Sequence, residues 1–215
     1  MLDYESLLKW SDKQWENSIL PSLSEFISIE ALSPGFEPRW EEKGELSATL
    51  DLFQNWADIQ GIEGLESHRF KLNGRTPLLI IKVKGSLPGE ILFYSHLDKQ
   101  PSKPDLWSDG LSPFVGKRRG EWLYGRGSID DGYGGYLCIS AIKALQAHGM
   151  DHPSATFLIE TCEESGSYDL PAYLDHCTPY LGKPDLVVVM DSGGPDYDHI
   201  WKTDALRGLI HGTLR

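Results

Sequence analysis

Residues 90–98 have the sequence EILFYSHLD, in which an apolar run leads into a histidine and an aspartate. Two further apolar runs, TFLI at residues 156–159 and LVVVM at residues 186–190, also lead into acidic residues. Short apolar stretches that are rich in β-branched and aromatic side chains favour buried strands. The three runs therefore predict buried strands of an α/β sheet.

Acidic and histidine side chains follow the predicted elements in order along the chain: His96, Asp98, Asp130, Asp131, Glu163, Glu164 and Asp191. In an open α/β sheet, the carboxyl ends of the strands line the crevice in which ligands bind. Carboxylates together with an imidazole are suitable ligands for a divalent metal ion. The sequence therefore predicts a divalent-metal site at one end of the sheet.

The other segments alternate between helical and extended patterns. Apolar residues at helical spacing predict helices at 11–31, with Ser11 as N-cap and an interruption at Pro21, and at 46–56, ended by Gly61. The strands 78–84 and 90–95 flank the turn-like sequence GSLPG and predict a hairpin. The later order is a helix at 133–148, a strand at 155–160, a helix at 170–177 and a strand at 185–190, which predicts a three-layer domain.

The composition excludes several classes of function. A net charge of −12 disfavours nucleic acid and anionic membranes as partners. No apolar run approaches the roughly 20 residues that span a bilayer. The three cysteines include no CxxC pair, which indicates reduced thiols rather than a disulfide framework or a zinc module. Because residues 1–15 have no secretory signal pattern, a cytoplasmic location is the default expectation.

His96 and Asp98 are two residues apart in an extended segment, so their side chains share a face. The imidazole can then bind a metal while the carboxylate orients it. Taken alone, the pair also fits a surface histidine beside a solvated aspartate. Asp130 and Asp131, which lie in the glycine-rich segment 125–135, also fit a pair of helix caps.

Glu163 and Glu164 follow a predicted strand, where successive side chains point to opposite sides. One carboxylate can bind a metal while its neighbour accepts a proton from the activated water. Either glutamate alone also fits an acidic loop, and Asp191 alone also fits a turn. All of these alternatives would have to hold together at four successive elements, so the sequence favours metal-assisted hydrolysis.

Four strings occur in order along the chain: YSHLDKQP at 94–101, LYGRGSIDDG at 123–132, ETCEESGS at 160–167 and VVVMDSGG at 187–194. Residues 110–114 (GLSPF) and 206–208 (LRG) support them. With these motifs the sequence resembles the co-catalytic metallopeptidase family that includes aminoacylase, acetylornithine deacetylase, glutamate carboxypeptidase and the carnosinase-like dipeptidases. The dipeptidase branch is the most similar.

The resemblance implies two zinc ions, with cobalt or manganese as alternatives. Asp130 would bridge the two ions, His96 and Asp191 would complete one of them, and Glu164 would help to hold the other. Glu163 would be the general base, and Asp98 would orient His96. The resemblance also suggests a cis peptide bond between Asp130 and Asp131. Where the family often has a lysine after the paired aspartates, this chain has Gly132 and Tyr133.

The implied fold is a three-layer α/β/α catalytic domain with a mixed, mostly parallel sheet, of which residues 1–204 form the N-terminal part. Residues 205–215 would begin a truncated lid domain. Relatives have a distant C-terminal histidine ligand and a complete lid domain that often dimerises, and we expect the remainder of the protein to supply both. His211 is no substitute, because it falls in the segment that resembles the first lid strand. The remaining histidines are expected at the surface or in loops: His68, His148, His152, His176 and His199.

The expected activity is hydrolysis of amide bonds in dipeptides or small peptides by a water that two zinc ions activate. Deacylation of N-acyl amino acids and glutamate carboxypeptidase activity are alternatives within the same family. A truncated metal-binding fragment without catalysis is a rival from another class. A structural α/β domain whose acidic residues are caps and turns is a third possibility.

Overall fold

The first helical segment begins earlier than the sequence pattern predicts. A computed structural model of the protein describes residues 3–194, 196 and 198–208. Helix α1 spans Tyr4–Gln14, and the side chain of Asp3 caps it by accepting a hydrogen bond from the Glu5 N–H at 3.2 Å. The prediction of Ser11 as N-cap is therefore wrong. A π-helical turn, Trp15–Ile19, leads into α2, Leu20–Ser28. Pro21 is the second residue of α2 and follows the π-helical turn directly, so the interruption predicted there is a change of helix type and not a break in the helix.

Of the five later helices, the three longer ones agree well with the predicted segments, whereas the two short ones at 40–43 and 178–181 were not predicted. The five helices are α3 (Trp40–Lys43), α4 (Glu45–Asp58), α5 (Gly132–Ala147), α6 (Leu170–His176) and α7 (Thr178–Leu181). Two short 3-10 turns, Pro104–Leu106 and Glu163–Ser165, lie in the loops. Helix α4 buries the apolar side that its sequence predicts, which consists of Leu46, Leu50, Phe53 and Trp56.

Within the described residues, five strands form the main sheet in the order β1-β2-β6-β3-β7. Their bounds are β1 Leu65–Phe70, β2 Leu78–Val83, β3 Leu87–His96, β6 Pro153–Glu160 and β7 Leu186–Val189. A separate hairpin consists of β4 (Lys117–Arg119) and β5 (Trp122–Tyr124). The sheet is mixed, as predicted, but within the described residues it is not mostly parallel: β6 and β7 both run parallel to β3, whereas β1–β2 and β2–β6 are antiparallel.

The predicted hairpin between β2 and β3 is wrong, because β6 lies between them. Strand β6 is almost entirely buried, and a strand that is apolar on both faces is most stable in the interior of a sheet. It pairs with Ile81 of β2 on one side and with Phe93 of β3 on the other, both through Phe157.

Helices cover both faces of the sheet, which gives the predicted three-layer α/β/α arrangement. On one face, α2, α4 and α5 pack against a large apolar core that includes Leu79, Ile81 and Phe157. On the other face, a smaller core gathers Leu78, Ile80, Leu92, Leu158, Tyr173 and Cys177. The sheet is therefore held between two apolar layers, and its strand ends are left for polar residues.

Residues 205–208 are not part of a strand or helix, and residues 209–215, which include His211, lie outside the described residues. The start of a lid domain therefore stays a prediction. Cys138, Cys162 and Cys177 are buried free thiols, as expected. No helix in the described part of the chain has the length and apolarity to cross a membrane.

Candidate metal centre

The candidate site lies at the carboxyl ends of β3, β6 and β7. His96 is the last residue of β3, and it is in register with Glu160, the last residue of β6. Asp191 follows β7 by two residues. Because both neighbours of β3 run parallel to it, their carboxyl ends reach the same edge of the sheet.

The imidazole of His96 is fully buried and surrounded by carboxylates. Its Nε2 atom lies 3.3 Å from Asp130 Oδ1, 3.6 Å from Asp191 Oδ2 and 3.7 Å from Glu163 Oε2. Among the described residues, Nε2 has no hydrogen-bond partner. Ligand atoms of His96, Asp130 and Glu164 lie within 4.8 Å of one another, and so do those of His96, Glu163 and Asp191. Two groups that could each hold a metal ion thus share one histidine.

Asp98 connects the histidine to the glutamate pair. His96 Nδ1 lies 3.2 Å from the backbone oxygen of Asp98 and 3.4 Å from its Oδ1. The Asp98 carboxylate also accepts hydrogen bonds from the backbone N–H groups of Glu163 at 3.1 Å and Glu164 at 3.0 Å. The arrangement places Asp98 where it can orient His96, and it also fixes the 3-10 turn that carries both glutamates.

The peptide bond between Asp130 and Asp131 is cis, as the resemblance suggests. Asp130 is partly exposed and faces His96, whereas Asp131 is fully buried at the start of α5. The Asp131 side chain does not cap this helix and instead accepts a hydrogen bond from the His96 N–H at 3.2 Å. Asp131 thus occupies the N-cap position, as the helix-cap alternative predicts, but its carboxylate serves His96 and not the helix.

The turn that carries Glu163 and Glu164 is held from two sides. On one side, the Asp98 carboxylate accepts hydrogen bonds from the first two backbone N–H groups of the turn. On the other side, the Ser165 hydroxyl lies 2.6 Å from the hydroxyl of Ser33 and accepts a hydrogen bond from the Gly35 N–H at 2.7 Å. The segment that connects α2 to α3 thus fixes the position of the glutamate turn.

The electrostatics of the site favour a positive charge at its centre. Burial lowers the pKa of His96, but Asp130, Asp191 and Asp98 outweigh this effect and raise that pKa well above its ordinary value. His96 in turn lowers the pKa of Asp130. Burial raises the pKa of Glu163 and of Glu164, because a charged carboxylate is less stable out of water. Either a proton on His96 or a bound cation can supply the missing positive charge.

Three residues near the site were not predicted from the sequence. Gln100 donates to Glu164 Oε2 at 2.6 Å, and the Tyr133 hydroxyl donates to the backbone oxygen of Met190, next to Asp191, at 2.9 Å. The Tyr94 hydroxyl donates to the buried Glu160 at 2.6 Å. Only Gln100 had a sequence signal, because it continues the alternation of residues 96 and 98.

The other histidines do not contribute to this centre in the described residues. His152 lies in the loop directly before β6, as expected, although it is only 4% exposed. Its ring nitrogens contact the backbone oxygen of Pro153 and the side chain of Gln146, so it has a local structural role.

Comparisons with known proteins agree with this fold. The model of peptidase family M20/M25/M40 matches residues 92–207. Beta-Ala-His dipeptidase of Homo sapiens is 30% identical over 207 residues, which cover 92% of this chain and 39% of the relative. Cys-Gly metallodipeptidase dug1 of Schizosaccharomyces pombe is 31% identical over 121 residues, which cover 54% of this chain and 25% of the relative.

The crystal structure of human carnosine dipeptidase 1 has the same fold over the matched region. Its TM-score is 0.74 at 24% identity, and the match covers 87% of this chain and 41% of that structure. The chain thus spans less than half the length of the relatives that it matches. Since the family model covers more than half of the chain and includes every residue of the candidate site, the chain belongs to peptidase family M20/M25/M40.

Proposed function

We propose that the chain supplies the catalytic centre of a dinuclear zinc hydrolase that cleaves the amide bond of dipeptides and other small peptides. The observation that carries this proposal is the pair of potential metal-binding groups that share the buried His96. The similarity to two dipeptidases supports the substrate class. The proposal concerns the whole protein. It includes a further histidine ligand and a lid domain through which the protein dimerises.

The residues present fit a divalent cation. Three carboxylates lie within 4 Å of a buried imidazole nitrogen that has no hydrogen-bond partner in the described part of the chain. Zinc binds nitrogen and carboxylate oxygen in this combination, and cobalt and manganese accept similar ligands. A cation would also offset the cost of keeping several carboxylates close together and partly buried.

In the proposed arrangement, His96, Asp130 and Asp191 would hold one ion, and Asp130 and Glu164 would help to hold the other. When bound, the zinc ions would lower the pKa of a water molecule and polarise the carbonyl group of the substrate. Asp98 would hold His96 in the orientation in which Nε2 faces the site.

Glu163 would act as the general base. Its carboxylate accepts a proton from the attacking water as the water oxygen bonds to the carbonyl carbon. It then delivers this proton to the amide nitrogen as the carbon–nitrogen bond breaks, which releases a carboxylic acid and an amine, and the acid loses its remaining proton to solvent. Burial raises the pKa of Glu163, and this makes its carboxylate a stronger base than an exposed glutamate.

The experiment is the substitution Glu163→Gln in the complete protein, assayed with β-Ala-His and Cys-Gly. We expect kcat to fall by about 100-fold to 10,000-fold, the usual range for loss of a general base, while the zinc content is unchanged. The control is Glu42→Gln, an exposed glutamate on α3. Retained activity in Glu163→Gln would contradict the role of base, and loss of zinc would instead identify Glu163 as a ligand.

A further inference from the structure

The segment that follows β3 presents alternate residues to opposite sides. The side chains of His96, Asp98 and Gln100 all reach the site, where they contact carboxylates or amides of the two glutamates. Leu97 and Lys99 point the other way and are fully buried. This alternation is the geometry of an extended chain, in which residues two apart share a face.

Lys99 fixes the backbone of this segment. Its N–H donates to the Ala31 backbone oxygen at 3.0 Å, and its own backbone oxygen accepts from the Ser33 N–H at 3.0 Å. Its ammonium group donates to backbone oxygens at the end of α2, those of Phe26 at 2.7 Å and Ile29 at 2.5 Å. The backbone next to Gln100 is therefore held in place, and the Gln100 side chain extends from it toward the site.

Glu164 is held by this segment at two points. Its backbone N–H donates to Asp98 Oδ2 at 3.0 Å, and its Oε2 atom accepts from the Gln100 amide at 2.6 Å. The other carboxylate oxygen, Oε1, is buried and has no hydrogen-bond partner among the described residues. One ligand atom of Glu164 lies within 4.8 Å of those of His96 and Asp130.

We propose that Gln100 is a positioning residue that holds Oε2 of Glu164, so that Oε1 is directed to the metal ion bound with Asp130. This inference rests on the metal site of the proposed function. A neutral amide suits the role, because it donates a hydrogen bond without neutralising the carboxylate, whereas a lysine would compete with the cation. Partners that orient a metal ligand commonly contribute 10-fold to 100-fold in metal affinity.

The test is the zinc affinity of the chain of 215 residues, measured by competition with a chromophoric chelator. Gln100→Leu keeps the size of the side chain and removes the donor, and Gln100 is exposed, so the fold should tolerate the change. We expect the variant to bind one zinc ion at least about 10-fold more weakly than the wild type does. The matched control is Gln146→Leu, which removes a glutamine that donates to Glu63 near the other end of α5.

A double-mutant cycle with Glu164→Gln separates positioning from a general effect on the fold. If Gln100 acts through Glu164, Gln100→Leu should have no further effect on zinc affinity once Glu164 is replaced. An equal loss in both backgrounds, or unchanged affinity in Gln100→Leu, would overturn the inference and leave the proposed metal site standing. A folded wild-type chain that binds no zinc would contradict the metal site itself and the inference with it.

Discussion

The faces of the central sheet and the carboxyl ends of its strands bury opposite kinds of side chain. On the faces, Leu79, Ile81 and Phe157 are at most 1% exposed and pack against helices. At the strand ends, His96 and Asp98 are 0% exposed, yet they are surrounded by carboxylates and backbone amides.

The difference separates stability from chemistry. Apolar burial stabilises a fold by about 25 cal/mol per Å². Burial of a charged group costs several kcal/mol unless other groups or ions compensate it. We therefore expect substitutions on the faces to lower the free energy of unfolding, and substitutions at the strand ends to change metal affinity or pH dependence.

The largest expected effect on stability is that of Phe157→Ala. Phe157 stacks on Phe93 with ring centroids 5.0 Å apart, at the centre of the larger core. Removing a buried phenylalanine lowers the free energy of unfolding by about 3–5 kcal/mol, which urea denaturation would measure. The control is Phe36→Ala, at a side chain that is 44% exposed. A loss of less than about 1 kcal/mol at Phe157 would contradict the assignment of the stabilising core to this face.

A smaller effect, an increase in the free energy of unfolding, is expected for Asp131→Asn in the metal-free chain. Burial raises the pKa of Asp131 to about 7, whereas an unfolded aspartate titrates near 3.9. Between these values the folded state binds the proton more tightly, so wild-type stability falls as the pH rises toward 7. Asparagine does not titrate. The free energy of unfolding of the variant should therefore increase by on the order of 2–4 kcal/mol relative to that of the wild type as the pH rises from about 4 to 8.

Urea denaturation with a chelator present would measure the stability of Asp131→Asn across this pH range. Asp175→Asn, at an exposed position on α6, is the matched control. If the free energies of unfolding of wild type and Asp131→Asn changed in parallel with pH, burial of the Asp131 carboxylate would not destabilise the folded chain, which would contradict the prediction.

The smallest expected effect is that of Tyr133→Phe, at a residue that touches both regions. Its ring packs against the larger core, and its hydroxyl donates to the Met190 backbone oxygen beside the site. Loss of one hydrogen bond should lower the free energy of unfolding by about 0.5–1.5 kcal/mol. Tyr4→Phe, at a side chain that is 70% exposed, should show no such loss. A cost above about 3 kcal/mol would mean that the ring, and not the hydroxyl, had been disturbed.

The sequence predicted the elements better than their arrangement. The apolar runs of β3, β6 and β7 and the periodicity of α4 and α5 are local signals, and the structure confirms these elements. The predicted burial of β7 is wrong within the described residues, because β7 lies at the edge of the sheet and most of its side chains are exposed. The position of β6 between β2 and β3 is not local, since several orders of apolar strands satisfy the same pattern. The start of α1 was missed because the first turn, from Tyr4, is exposed and has no apolar periodicity.

For the site, order along the chain was enough to gather the main residues. His96 ends β3, and Asp130, Glu163 and Asp191 lie just before or after elements whose ends reach the same edge of the sheet, so the four side chains come together. The hydrogen bonds of Gln100 and Tyr133 depend on where distant side chains lie, so the sequence alone did not predict them.

The zinc content of the purified, monodisperse chain of 215 residues tests the central claim most directly, with His96→Ala as the control. Both should first be shown to be folded, so that a loss of binding is not a loss of structure. We expect the wild-type chain to bind zinc and His96→Ala to bind less, because both potential metal-binding groups share this histidine, which is a ligand of one ion in the proposed arrangement. A folded wild-type chain that binds no zinc, or a variant that binds as much zinc as the wild type, would contradict this expectation.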